Sequence, residues 1–205
     1  METRAQFSRL KAFYSQIVPN LTESGWQVCE SVLSVRTLKK GELLQRQGAV
    51  CNNVSFINKG LLRMYTTTAD GRDKLTEFFR EGDYTADYRS FLLREPSLTS
   101  IQALEDTEVI ETSYDDLQMI YCKVPEANLL GRLIAEELFI DVCKRTGAQV
   151  GEPIETQYNN LIAESPWLLQ RVPQYMIASY LGITPEALSR IKARAVSKTK
   201  RPELV

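Results

Sequence analysis

Residues 174–193 read QYMIASYLGITPEALSRIKA, and this stretch decides how the C-terminal end of the chain folds. Two helices that cross over a three- to four-residue turn have strict needs. They require a small side chain at the crossing, a turn residue that tolerates positive φ, and apolar groups from both helices beneath. Ala178 is the small side chain, and Gly182 follows four residues later at the turn. Ile177, Leu181, Ile183, Leu188 and Ile191 form the buried face. Thr184 is placed to cap the second helix and Pro185 fits its first position. Glu186 then puts a carboxylate near the positive end of the helix dipole. The pattern predicts a helix-turn-helix whose outer face carries Glu186, Ser189, Arg190, Ala193 and Arg194. An ordinary αα-hairpin shares the glycine turn but does not require the small and five apolar positions to agree with it.

Charge points the same way. Residues 166–205 carry seven basic and two acidic side chains, a net of +5, whereas residues 1–165 carry 18 basic and 24 acidic, a net of −6. A basic end on an acidic body is the electrostatic footprint of nucleic-acid binding. An outward helix face of this kind fits a major groove about 12 Å wide. Arg190 suits bidentate contact with guanine, Glu186 can accept from a cytosine amino group, and Ser189 completes the base-reading set. Gln174 and Thr184 at helix N-termini, and Lys192 and Arg194 by charge, are candidates for phosphate contacts. The partner implied is double-stranded DNA. The alternative is a ligand-sensing module that uses the helical pair for protein contacts, and the basic balance of this end argues against it.

Upstream, the texture changes twice. Residues 7–33 read as helical, with a break at Pro19-Asn20. From Val35 to Thr112 come short apolar runs, among them Leu43-Leu44, Val54 to Ile57, Leu61 to Tyr65, Leu75 to Phe79, Thr99 to Leu104 and Val109-Ile110. Gly41, Gly48, Asn58 to Gly60, Asp70-Gly71 and Gly82-Asp83 punctuate them as turns, which predicts a β-sandwich or barrel. Ser113-x-x-Asp116 forms a capping box for a short helix, and Pro125 opens a long one. Leu130, Ile134, Leu138 and Val142 recur every four residues along it and need a partner surface. The β domain is one such surface. A parallel second copy is the sharper reading, because Glu136, Glu137, Asp141, Lys144 and Arg145 leave only a narrow seam. Gly147 and Gly151-Glu152-Pro153 mark a hinge before the C-terminal helices.

Composition excludes several functions. The chain has no histidine, which removes the commonest metal ligand and the usual general base. Its four cysteines are isolated, with no C-x-x-C pair, so neither a zinc site nor an iron–sulfur cluster is expected. No P-loop or Gly-x-Ser-x-Gly occurs, and no enzyme or cofactor is expected. Apolar residues make up 43% and charged residues 25%, as in a soluble globular protein. No apolar run nears the roughly 20 residues that span a bilayer, so no membrane association and a cytoplasmic location are expected.

Several motifs, in this order, resemble the Crp/Fnr superfamily of bacterial regulators. Lys40-Gly41-Glu42-Leu43-Leu44-Gln45-Arg46-Gln47-Gly48 resembles that family's first hairpin, Phe56-Ile57-x-x-Gly60 its next strand and turn, and Ala103 to Thr107 the strand leaving the ligand pocket. Asp87 to Leu92 and Pro185 to Arg190 look most like the version found in Bacteroidetes. The resemblance implies an α+β chain: a double-stranded β-helix (jelly-roll) sensor domain over 1–124, a dimerisation helix over 125–147, and an all-α DNA-binding domain over 148–205. It also implies a homodimer on a palindromic site, with RNA polymerase as a partner if the protein activates. No effector is assigned. The family's winged hairpin has little sequence left to form it, since Val196 to Val205 read as a basic tail, and a reduced or absent wing is expected.

The resemblance departs from its pattern where the ligand should bind. The family's pocket uses a Gly-Glu pair and then an Arg-Ser pair to hold a cyclic phosphate and a ribose. These fall on Ala86-Asp87 and on Ser97-Leu98. Ser97 cannot neutralise a phosphate, and losing a bidentate charge-assisted contact costs roughly 2–5 kcal/mol. The expected pocket residues are Ala86, Asp87, Tyr88, Arg89, Ser97 and Thr99, with no control by cyclic AMP.

Overall fold

The computed structural model describes residues 6–199, without the side chains at 145, 148–150 and 195–199. Two compact units cluster out of it: Met1–Arg72 with Thr76–Leu138, and Asp73–Leu75 with Phe139–Val205.

The first unit opens with helices α1 (Ser8–Ile17) and α2 (Glu23–Glu30). Thr22 caps α2 by accepting from the Gly25 amide at 3.0 Å. Eight strands follow: β1 (Ser34–Leu38), β2 (Leu43–Gln45), β3 (Asn53–Lys59), β4 (Leu62–Thr67), β5 (Asp73–Phe79), β6 (Tyr84–Thr85), β7 (Ser100–Ala103) and β8 (Thr107–Ser113). The short helix α3 (Tyr88–Leu93) lies between β6 and β7, and α4 (Tyr114–Lys123) follows β8. The strands form two four-stranded sheets, in orders β1-β8-β3-β6 and β2-β7-β4-β5. The registered pairs run antiparallel.

The two central strands of the first sheet, β8 and β3, are buried on both faces. Successive side chains of a strand point to opposite sides. Phe56 pairs with Ile110, and both join the helices in one core with Leu10, Tyr14, Trp26, Ile120 and Leu130. Their neighbours Ile57 and Val109 also pair, and they face a second core with Leu38, Leu62, Ile101 and Ala103. The apolar runs read from the sequence map onto β2, β3, β4, β5, β7 and β8. Strands β1 and β6 carry no such run, because β1 is mostly exposed and β6 has two residues.

The N-cap half of the capping box is present: Ser113 Oγ accepts from the Asp116 amide at 3.1 Å. Helix α5 (Pro125–Gly151) then runs 27 residues, about 40 Å at 1.5 Å per residue. Here three expectations are corrected. The helix passes through Gly147 and ends at Gly151. One glycine costs a helix only about 1 kcal/mol, whereas Pro153 cannot continue it. Leu130 is 4% exposed inside the chain's own core, so it is not free to face a second copy, and Ile134 is half-buried against that core. An i, i+4 repeat advances about 40° around the helix at each step. The stripe from Leu130 to Val142 therefore winds from core to solvent, and Val142 is 53% exposed.

The second unit continues with α6 (Ile154–Glu164), α7 (Leu168–Arg171), α8 (Gln174–Tyr180) and α9 (Pro185–Thr199). The expected tail from Val196 is helical as far as Thr199, and the rest of the segment where a wing would fall lies outside the described residues.

Gly60 lies hard against the backbone of β8. Its φ is +109°, and a Cβ there would sit 2.4 Å from Thr107 Oγ1 and 2.7 Å from Thr107 Cα. The conflict is with backbone, so it cannot relax through a side-chain rotation. Gly60→Ala is expected to destabilise the chain by roughly 2–5 kcal/mol, read as a lowered urea midpoint with an unchanged slope.

Candidate DNA-reading helix and ligand-pocket loop

The turn between α8 and α9 is closed by backbone geometry. Gly182 sits at φ +69°. The Gly182 amide donates to Ser179 O at 3.1 Å, and the Ile183 amide to Ala178 O at 3.0 Å. This pair of bonds is a Schellman closure, which needs the left-handed residue that glycine supplies. Thr184 caps α9, accepting from the Ala187 amide at 3.2 Å. Ile177 and Ala178 are fully buried, Leu188 is 1% exposed and Ile191 6%. Leu181 and Ile183 are half-buried.

The outer face of α9 leaves Glu186, Ser189, Arg190, Ala193 and Arg194 exposed. The Glu186 carboxyl is held below the usual range, first by its own backbone amide, then by the Thr184 hydroxyl, with a smaller pull from Arg190. The phosphate candidates already have partners within the chain. Lys192 Nζ donates to Gln174 Oε1 at 2.9 Å, and Arg194 lies 3.7 Å from Glu155. Tyr175, next to Gln174 at the start of α8, is 57% exposed and was not singled out by the sequence pattern.

In the first unit, Asp87, Ser97 and Thr99 come together. Asp87 caps α3 with Oδ1, accepting from the Ser90 amide at 3.0 Å. Its Oδ2 lies 2.6 Å from Ser97 Oγ, 3.1 Å from the Leu98 amide and 3.1 Å from Thr99 Oγ1. Burial alone would raise the Asp87 pKa. The hydrogen bonds from Ser97, Ser90, Thr99 and Leu98 outweigh it and hold the carboxyl below its ordinary value. Arg89 is not part of this group and pairs with Glu95 at 2.5 Å. Tyr88 stacks on Phe91 with centroids 6.3 Å apart, and Ala86 is half-buried. Arg94 holds a left-handed φ of 57°. Its guanidinium donates to Cys51 O at 2.9 Å and Asn52 Oδ1 at 2.5 Å, and lies over the Tyr114 ring. Sequence reading also missed Ser55, Thr85 and Glu111, which are buried partners in register on the inner side of the first sheet. Ser55 and Glu111, two residues from Ile57 and Val109 and so on the same strand face, were the available signal.

Among the described residues, no group of three or more His, Cys, Asp or Glu side chains could hold a metal ion, and no helix is long and apolar enough to cross a membrane.

Comparison with known proteins places this geometry. Residues 35–122 match the family described as "Cyclic nucleotide-binding domain". The transcriptional activator protein anr of Pseudomonas aeruginosa is 30% identical over 179 residues, covering 80% of this chain and 71% of that protein. FnrA of Stutzerimonas stutzeri, also a transcriptional activator protein, is 29% identical over 173 residues, covering 78% and 69%. Among solved structures, FixK2 from Bradyrhizobium japonicum shares the fold with a TM-score of 0.67 at 20% identity, covering 82% of this chain and 86% of that one. The Thermus thermophilus catabolite activator protein aligns with a TM-score of 0.54 at 18% identity, covering 89% and 87%. These matches define a transcription regulator with a cyclic-nucleotide-binding-type domain. Within that class, the chain belongs to the Crp/Fnr family. The more particular likeness to the Bacteroidetes version gains no support from these relatives.

The Asp87 network sets an acid limit. A carboxyl whose pKa is depressed on folding contributes stability that is present above its unfolded value, near 3.9, and lost as pH falls through the folded value. The urea midpoint of the wild type should drop more steeply than that of Asp87→Asn between about pH 5 and pH 3. Parallel profiles would show that the carboxylate contributes nothing.

Proposed function

We propose that the chain is a homodimeric, sequence-specific DNA-binding transcription regulator that reads a palindromic site without control by cyclic AMP. The observation that carries this reading is the exposed face of α9 on a closed Schellman turn, with Ser189 and Arg190 open and Glu186 ionised beside them. In a major groove, Arg190 would take a guanine, Glu186 a cytosine amino group, and Ser189 a third base edge. Thr184, Gln174, Lys192 and Arg194 would lie along the phosphates. The Lys192 ammonium keeps two donors beyond the one on Gln174. The net charge of +5 over residues 166–205 supports the same face. The division into a β domain to 124, a long helix and a DNA-binding domain from 148 stands as part of this proposal. Strand orders β1-β8-β3-β6 and β2-β7-β4-β5 support a jelly-roll reading of the β domain.

For the dimer we move the seam. Leu129, Leu133 and Ile140 recur at +4 and +7, so they share one side of α5. Leu129 is 38% and Ile140 50% exposed, with Phe139 at 69% on the same stretch. Two copies joined there would present recognition helices to half-sites about 34 Å apart. The relatives are named activators, which favours activation and hence contact with RNA polymerase.

Two outcomes are expected. In fluorescence titrations on family-like palindromes, the wild type binds with a steep salt dependence, and Arg190→Ala loses about 1–3 kcal/mol of discrimination against a changed guanine while keeping its salt slope. No wild-type affinity at low salt would refute the reading. In sedimentation, the wild type runs as a dimer and Ile140→Glu as a folded monomer. An unchanged dimer would move the seam elsewhere.

A further inference from the structure

The donors at 97–99 converge on one atom. Ser97 Oγ, the Leu98 amide and Thr99 Oγ1 all lie within 3.1 Å of Asp87 Oδ2. These donors sit ten to twelve residues after Asp87, so the contact ties a loop to the start of α3. A carboxylate offers about four lone-pair sites, and with the Ser90 amide on Oδ1 four donors surround it. Hydroxyls and an amide aimed at one buried point make an anion receptor. The two nearby arginines have other partners: Arg89 lies on Glu95, and Arg94 on Cys51 and Asn52. The charge on Asp87 is thus held by hydrogen-bond donors rather than by a cation.

We infer that Asp87 is a built-in anion: its carboxylate occupies the receptor formed by Ser97, Leu98 and Thr99, and docks α3 on that loop with no ligand from solution. The inference deepens the proposal that cyclic AMP does not govern this chain, and rests on it, by naming the group that stands in the ligand's place. A tethered carboxylate acts at an effective concentration that a dissolved anion does not reach in the cell. The loop is therefore held closed without an effector, and an anionic effector would have to displace a group the chain itself supplies.

Chemical rescue tests it. Asp87→Gly removes a CH2COO⁻ group, which acetate restores from solution. The full-length variant should melt about 5 °C or more below wild type in chloride at pH 7. At constant ionic strength, acetate should raise its midpoint saturably by about 3 °C or more. Wild type should not respond, nor should Asp87→Asn, whose side chain still fills the space. A variant midpoint indifferent to acetate overturns the inference, as does an equal rise in wild type. If Asp87→Gly does not fold in chloride, its refolding yield in acetate against chloride reads the same effect, and equal failure in both overturns it. Cyclic AMP added to wild type is a separate arm. A saturable shift there would overturn independence from cyclic AMP while leaving the acetate result to stand or fall alone.

Discussion

Strand β8 is covered on both sides, and the first unit is organised around that constraint. Ile110 must meet helices and Val109 must meet strands, one residue apart. A slip of one position in its pairing with β3 would send each side chain to the wrong core. Register is therefore set by two hydrophobic surfaces at once. The close approach of Gly60 to Thr107 anchors the same pair of strands at one end. From that frame, β6 leads into α3 and β7 leaves the loop at 97–99, which is how Asp87 and its donors come within hydrogen-bonding distance.

The helical pair at 174–193 was legible almost residue by residue. Its requirements are local: a small crossing residue, a left-handed turn and a cap, all within twenty positions. The β domain was legible in class, and six of its eight strands in place. The two missing strands owe their existence to partners far along the chain, β8 for β1 and β3 for β6, and have no apolar signature of their own. The same limit explains the long helix. A four-residue repeat identified the helix, but not that its stripe winds from the chain's own core out to solvent.

The pocket loop shows what a sequence comparison leaves out. Matching Ser97 to a family arginine registers only a lost charge. It does not reveal that the donors left behind have found a carboxylate ten residues away. Nor does the sequence show Lys192 resting on Gln174, since that contact depends on how closely α8 and α9 approach. Side chains read singly as ligand or phosphate contacts are first of all each other's partners.

Helix α5 divides its apolar side chains between the chain's own core and solvent. Leu130 and Ile134 complete a core that needs no second chain, while Phe139 and Ile140 are left uncovered further along the same helix. Folding and the proposed assembly thus draw on different residues of one element. Stability contributed by the first pair is independent of protein concentration, whereas any contribution from the second follows mass action and grows only as copies accumulate. Such a chain can be fully folded and still unassembled when scarce, so its abundance itself can act as a signal.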